Sequence, residues 1–263
     1  MLFFIKMTQK YRIAIGLVLF FLCCPSFAQK NTSYLKSYVT DADDIYFSPL
    51  TWDRTDILKS IGVISLTAGL YFQDQKIFNF VKKTQSPWRT KLSNFSDNFG
   101  DAIWVVPSVA SLYVFGSLFD DSKLKTLSLN TLKSLFFSGI TTHMVRYSVH
   151  RKRPKPNVSY ADWEGPDFTY HSHLSFPSGH STVAWTLATN VAQVYRQSPW
   201  VPYATYTLAS LTSFSRIDHG HHWPSDVLAG AWVGHFISKK IHGFSIRPSA
   251  SAQFRGMTIS MKF

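Results

Sequence analysis

Residues 122–154 read SKLKTLSLNTLKSLFFSGITTHMVRYSVHRKRP, and this stretch carries both the fold signal and a first indication of chemistry. Its apolar pattern predicts a long helix over 123–150, with Ser122 as N-cap. Pro154 and Pro156 stop that helix after the basic run Arg151-Lys152-Arg153. Working outward, further apolar segments separated by Pro, Gly and charge occupy 56–72, 75–83, 88–95, 102–119, 181–196, 202–215 and 225–241. The succession predicts an all-α bundle over 55–243, preceded by an N-terminal extension at 29–54. The last residues, 244–263, change period: Met257, Ile259, Met261 and Phe263 alternate with polar residues, which reads as a short β-like tail. One or two strands cannot close a barrel, so a covering hairpin is the plainer reading.

The first 28 residues have the layout of a signal peptide. Lys6, Lys10 and Arg12 form a positive start, 13–24 an apolar centre, and Ser26-Phe27-Ala28 a small-x-small cleavage site. The apolar centre is shorter than the roughly 20 residues a membrane-spanning helix needs. Both cysteines, Cys23 and Cys24, lie in this leader, and no small residue precedes either as lipid attachment would require. Cleavage would leave a chain without thiol chemistry or disulfides. It also removes three of the 27 basic residues and no acidic one, taking the net charge from +12 to +9. A basic exported protein meets phosphate groups and membrane surfaces rather than nucleic acid. The uncharged run 102–119, broken by Pro107, has bilayer length, and the aromatic content (Phe 22, Tyr 12, Trp 8) suits either an interfacial protein or a tightly packed soluble bundle, with membrane association slightly favoured.

Three stretches suit phosphate. Arg146 and Arg153 stand seven apart, two helical turns, so they lie on one face and can converge on one anion. In Pro177-Ser178-Gly179-His180, the glycine allows close backbone approach, and a helix start after it would present free N–H groups to an anion. In Ser215-Arg216 through His219, His221 and His222 to Asp226, the acid follows His222 by four residues. It can then accept from one ring nitrogen and leave the other as a nucleophile. Arg216 adds a permanently charged donor. Asp218, His219, His221 and His222 could also be metal ligands, a reading that leaves Arg146, Arg153 and Arg216 unexplained beside a cation.

Together these stretches resemble the three-part signature of the type-2 phosphatidic acid phosphatase and vanadium haloperoxidase superfamily. Its pattern is a basic residue, six residues and Arg-Pro; then Pro-Ser-Gly-His; then Ser-Arg, five residues, His, three residues and Asp. The match departs at one place, where the family's usual lysine is Arg146. The resemblance implies a bundle of about six core helices and hydrolysis of phosphate esters without metal or cofactor. It implies His222 as nucleophile, oriented by Asp226, and His180 as the acid for the leaving oxygen and the base for water. Arg146, Arg153, Arg216, the Ser178 hydroxyl and the Gly179 amide would bind phosphate. The implied substrates are envelope lipid phosphates, with a soluble periplasmic acid phosphatase as the alternative and a vanadate-holding haloperoxidase further off. The segment 160–170 could shape a substrate entrance or be a surface loop.

Overall fold

A computed structural model describes residues 32–166 and 174–245; the expected signal peptide and nearly all of the expected β-like tail lie outside them. In chain order the α-helices are α1 (Thr32–Tyr46), α2 (Arg54–Lys83), α3 (Pro87–Asp97), α4 (Ala102–Leu118), α5 (Ser122–Val149), α6 (Gly179–Val194), α7 (Trp200–Asp218) and α8 (Pro224–Ser245). Two 3-10 turns, Ser48–Thr51 and Asn98–Gly100, complete the set, and no strand occurs among the described residues. The fold is all-α, as the sequence predicts.

Three details differ from the sequence reading, each for a physical reason. The segments expected at 56–72 and 75–83 are one helix, because the charge between them, Asp74, is wholly buried and paired rather than exposed at a break. The N-cap of α5 is Asp121, whose carboxylate accepts from the Lys123 and Leu124 amides at 2.8 and 3.1 Å. Helix α1 was not foreseen in its acid-rich sequence. It docks on α5 through Asp41, which pairs with Lys133 at 2.6 Å while the ammonium lies over the rings of Tyr34 and Tyr38.

The bundle is built on close approach. On α8, Gly230 and Gly234 face the main-chain oxygens of Ser178 and Thr182 on α6, so any Cβ there would collide with backbone. Across the α5–α6 contact, Thr142 meets Thr182 and Ser138 meets Thr186, each pair 3.3 Å apart. Short hydroxyl side chains satisfy one another and let the helix axes come near. Apolar clusters flank this centre: Ile45, Phe137, Ile237 and Ile241 join α1, α5 and α8, while Val81, Ile217 and Val227 join α2, α7 and α8. Each such buried side chain contributes ~1.5–3 kcal/mol. The result fixes the C-terminal ends of α5 and α7 beside the N-terminal ends of α6 and α8.

No single described helix is long and apolar enough to cross a membrane; the bent pair Pro87–Gly100 and Ala102–Leu118 reaches that length and apolarity together, across a 56° bend.

Candidate active site

Helix α5 ends at His150, whose left-handed backbone (φ 43°) turns the chain away from the helix axis. Arg153 therefore lies beyond the helix, and the two-turn argument for its alignment with Arg146 does not hold. The return is fixed instead by Lys152: its carbonyl accepts from Trp223 Nε1 at 2.9 Å and its amide donates to Asp162 at 3.0 Å. Helix α6 begins at Gly179 with Ser178 as N-cap, as expected, and the Ser178 amide donates to the Asp226 carbonyl at 2.9 Å. After α7, Gly220 (φ 74°) reverses the chain so that the amides of His221 and His222 both donate to the Arg216 carbonyl.

His222 is 2% exposed, and its Nδ1 lies 2.7 Å from the Ser175 carbonyl oxygen and 3.7 Å from Asp226 Oδ2. The hydrogen-bond partner is thus the Ser175 carbonyl, where the sequence reading put Asp226. A carbonyl only accepts, so Nδ1 carries the hydrogen and Nε2 keeps its lone pair. Burial pushes the His222 pKa down to about 3 despite the nearby Asp226 carboxylate, so the ring is neutral at ordinary pH.

Asp226 acts one step back. Its Oδ2 accepts from Ser175 Oγ at 2.5 Å and from the Trp223 amide at 2.8 Å, while Oδ1 takes Arg151 Nη1 at 2.5 Å. Although burial opposes ionisation, the adjacent His222 ring, the Arg151 charge and the Ser175 hydroxyl hold this carboxyl below its usual range. Arg151, fully buried, also pairs with Asp74 at 2.6 Å and donates to Ser225 and to the Tyr160 carbonyl. The guanidinium lies over the rings of Tyr71, Trp163 and Trp223. Neither Arg151 nor Asp74 stood out in the sequence. The available signal was Asp74, the one acid of α2 beyond its first turn.

Three guanidinium groups converge on the same region. Arg146 donates through Nε to the Pro177 carbonyl at 2.9 Å and passes beside Gly179, where a Cβ would stand 2.7 Å from Nη2. Burial and the neighbouring Arg153 lower its pKa to about 10. Arg153 is lowered in turn by burial and by Arg216. Arg216 donates to Asp97 through Nη1 and approaches His221 Nδ1 at 2.6 Å through Nη2. The Nε atoms of Arg153 and Arg216 are buried without a hydrogen-bond partner among the described residues. An anion placed among these groups would relieve their mutual repulsion and take up the unspent donors.

His180 stands at the start of α6, with Nε2 3.9 Å from Asp97 Oδ2. Burial first, then Arg216, lower its pKa to about 4. His219 and His221 take other partners, Asn94 and Arg216. No three His, Cys, Asp or Glu residues among those described are arranged to hold a metal ion. Every expected phosphate-binding and catalytic residue therefore belongs to one cluster, except that the Ser178 hydroxyl is engaged as an N-cap, accepting from the Ser181 amide at 3.5 Å.

Two cavities adjoin the cluster. One, of about 460 Å³, has Gly179 and His180 at one end and is walled by Val106, Leu132, Leu135 and Phe136. The other, of about 500 Å³, lies beside Pro177 and Ser225 between Tyr71, Trp163, Phe176 and Trp232. Trp163 belongs to the 160–170 segment, part of which lies outside the described residues.

The PAP2 superfamily matches residues 128–247. A Lipid A 1-phosphatase from Porphyromonas gingivalis is 47% identical over 66 residues, 25% of this chain and 15% of that protein. Another from Rhizobium johnstonii is 27% identical over 159 residues, 56% of this chain and 64% of that protein. The chain thus spans less than two thirds of either relative. Among solved structures, a transmembrane PAP2 type phosphatidylglycerolphosphate phosphatase from Bacillus subtilis shares the fold, with a TM-score of 0.56 at 19% identity over 70% of this chain and 94% of that one. Residues 128–247, the part of the chain that matches the PAP2 superfamily, hold all the motif positions from Arg146 to Asp226.

Proposed function

We propose that the protein is a metal-independent phosphatase of the cell envelope that removes phosphate from membrane lipids through a phosphohistidine. The observation that carries the lipid reading is the position of His180. The residue expected to protonate the leaving oxygen sits at the end of a cavity walled by Val106, Leu132, Leu135 and Phe136. The leaving group would be drawn toward aliphatic side chains, which suits an acyl-bearing alcohol and not a small polar one. Relatives named as Lipid A 1-phosphatases support the same class. Large apolar side chains left in solvent, among them Ile57, Leu58, Ile61, Ile64, Leu66 and Phe72 on α2, support membrane association. The expected leader supports export to the periplasm or the periplasmic face of a membrane.

In this mechanism Arg146, Arg153 and Arg216 hold the phosphoryl oxygens as charge builds on them. The Gly179 amide, first in α6, adds a backbone donor at a helix N-terminus. The His222 Nε2 lone pair forms a P–N bond while the P–O bond to the leaving group breaks. The electron pair of that bond goes to the leaving oxygen, which takes a proton from His180. Neutral His180 then removes a proton from water, whose oxygen forms a new P–O bond; the P–N pair returns to His222 and inorganic phosphate departs. Burial and then the Arg216 charge depress His180; an arriving phosphate dianion offsets the second of these and so favours the protonated ring for the first step.

The test is inorganic phosphate release from a panel of long-chain lipid phosphates, lipid pyrophosphates and short soluble esters, with and without EDTA. Long-chain lipids cleaved in EDTA are expected. Loss of all turnover in EDTA contradicts metal independence, and preference for soluble esters contradicts the lipid assignment in favour of an acid phosphatase.

A further inference from the structure

The corner between α3 and α4 places an acid beside the expected proton donor. Helix α3 ends at Asp97, whose carboxylate is drawn inward by α7: Ser215 Oγ donates to Oδ1 at 2.9 Å, and Arg216 Nη1 donates to the same oxygen. The second oxygen, Oδ2, lies 3.9 Å from His180 Nε2. The corner is anchored where it stands. Thr212 Oγ1 donates to the Ser96 carbonyl at 2.8 Å, and Ser96 Oγ to the Leu211 carbonyl at 3.2 Å. At Gly100 the backbone touches the His180 turn so closely that a Cβ would be 2.7 Å from the His180 carbonyl and 2.8 Å from Thr212 Cγ2. The acid, the arginine and the histidine are thus held as one unit by three segments of the chain.

We propose that Asp97 is a positioning residue for the proton donor: one carboxylate oxygen keeps Arg216 aimed at phosphate, and the other faces the His180 ring and favours the form that protonates the departing oxygen. This rests on the phosphatase reading and adds to it a residue outside the three motif stretches. The charges around His180 explain the need. Arg216 and His221, from α7 and the turn after it, oppose an imidazolium, whereas Asp97 and Asp101, at the two ends of the α3–α4 corner, favour it. Asp97 itself stays ionised: burial works against the charge, but the Arg216 hydrogen bond and charge bring its carboxyl below the usual value. Loss of the Asp97 charge leaves Asp101 as the remaining acid acting on His180.

Leaving-group dependence separates this role from a merely structural one. An alkoxide needs the proton from His180, whereas p-nitrophenolate departs without it, and kcat/KM reports the step in which the leaving group departs. In the full chain, Asp97→Asn is expected to lower kcat/KM for an alkyl phosphate by about tenfold more than for p-nitrophenyl phosphate. Asp97→Glu keeps the charge and should hold the ratio of the two within about threefold of the native protein. Ser215→Ala, which loosens the carboxylate without removing it, should move the ratio the same way by a smaller factor and serves if Asp97→Asn does not fold. Equal losses on both esters, or none, overturn the proposal. His180→Ala is the reference: if its losses are equal on both esters, the acid assignment itself falls, and if the native protein cleaves neither ester the phosphatase reading falls with it.

Discussion

Replacing Arg151 by methionine should be more damaging than any surface charge change, and the structure sets the scale. The guanidinium and both its acidic partners, Asp74 and Asp226, are fully buried, at 2.6 and 2.5 Å. Methionine fills comparable space but leaves two carboxylates facing each other without a cation. Removing one partner of a buried pair costs about 3–5 kcal/mol, and here two acids depend on one base. For a chain of this size that corresponds to a fall in Tm of about 6–20 °C. The assay is thermal unfolding followed by circular dichroism in detergent near neutral pH. Adding Asp74→Asn to Arg151→Met should recover part of the loss, because it removes one of the stranded charges. The difference between native and Arg151→Met protein should also narrow in acid. The Asp226 carboxyl is held low, so its contribution is present above the ordinary carboxylate pKa and disappears as pH falls through the folded value. A Tm within about 2 °C of native for Arg151→Met would refute the argument that this ion pair holds the site together.

Acid should destabilise the fold well before carboxylates titrate. His222 is 2% exposed with a pKa lowered to about 3, so its contribution is complete above the unfolded value of 6.5 and declines as pH falls below that. The slope is about 1.4 kcal/mol per pH unit, and denaturant midpoints between about pH 7 and pH 5 should show a smaller decline in His222→Asn. Arg146→Lys, which restores the residue usual at this motif position, should keep kcat/KM within about tenfold of native, because a lysine can still donate to the Pro177 carbonyl and present charge to phosphate. Gly179→Ala must push the Arg146 guanidinium aside, since the new methyl would lie 2.7 Å from Nη2. A KM rise of about three- to tenfold with Tm little changed is expected in steady-state kinetics.

The helices and the motif residues were readable because both depend on local pattern: apolar periodicity for the one, fixed spacing for the other. What stayed hidden was the acids that turn inward. Asp74 looked like a break between two helices and is the buried partner of Arg151. Asp41 lies in the stretch read only as an N-terminal extension, yet it pairs with Lys133 at 2.6 Å. Asp97, outside all three motifs, joins Arg216 to the surroundings of His180. A charge in a sequence carries no sign of whether its partner lies far along the chain, and each of these partners does. The orientation of His222 was misread for a related reason. Four-residue spacing suggested the Asp226 carboxylate, whereas the nearer acceptor is the main-chain oxygen of Ser175, about which side-chain spacing is silent.

A phosphorylated His222 is the intermediate on which the proposed mechanism turns, and it can be trapped. Native protein, His180→Ala and His222→Ala would be mixed with a lipid substrate carrying labelled phosphate, quenched in alkali and digested for peptide mapping. An alkali-stable, acid-labile label is expected on the peptide containing His222, accumulating further in His180→Ala on an activated ester and absent in His222→Ala. Label on another residue, or undiminished lipid hydrolysis by folded His222→Ala, would contradict it.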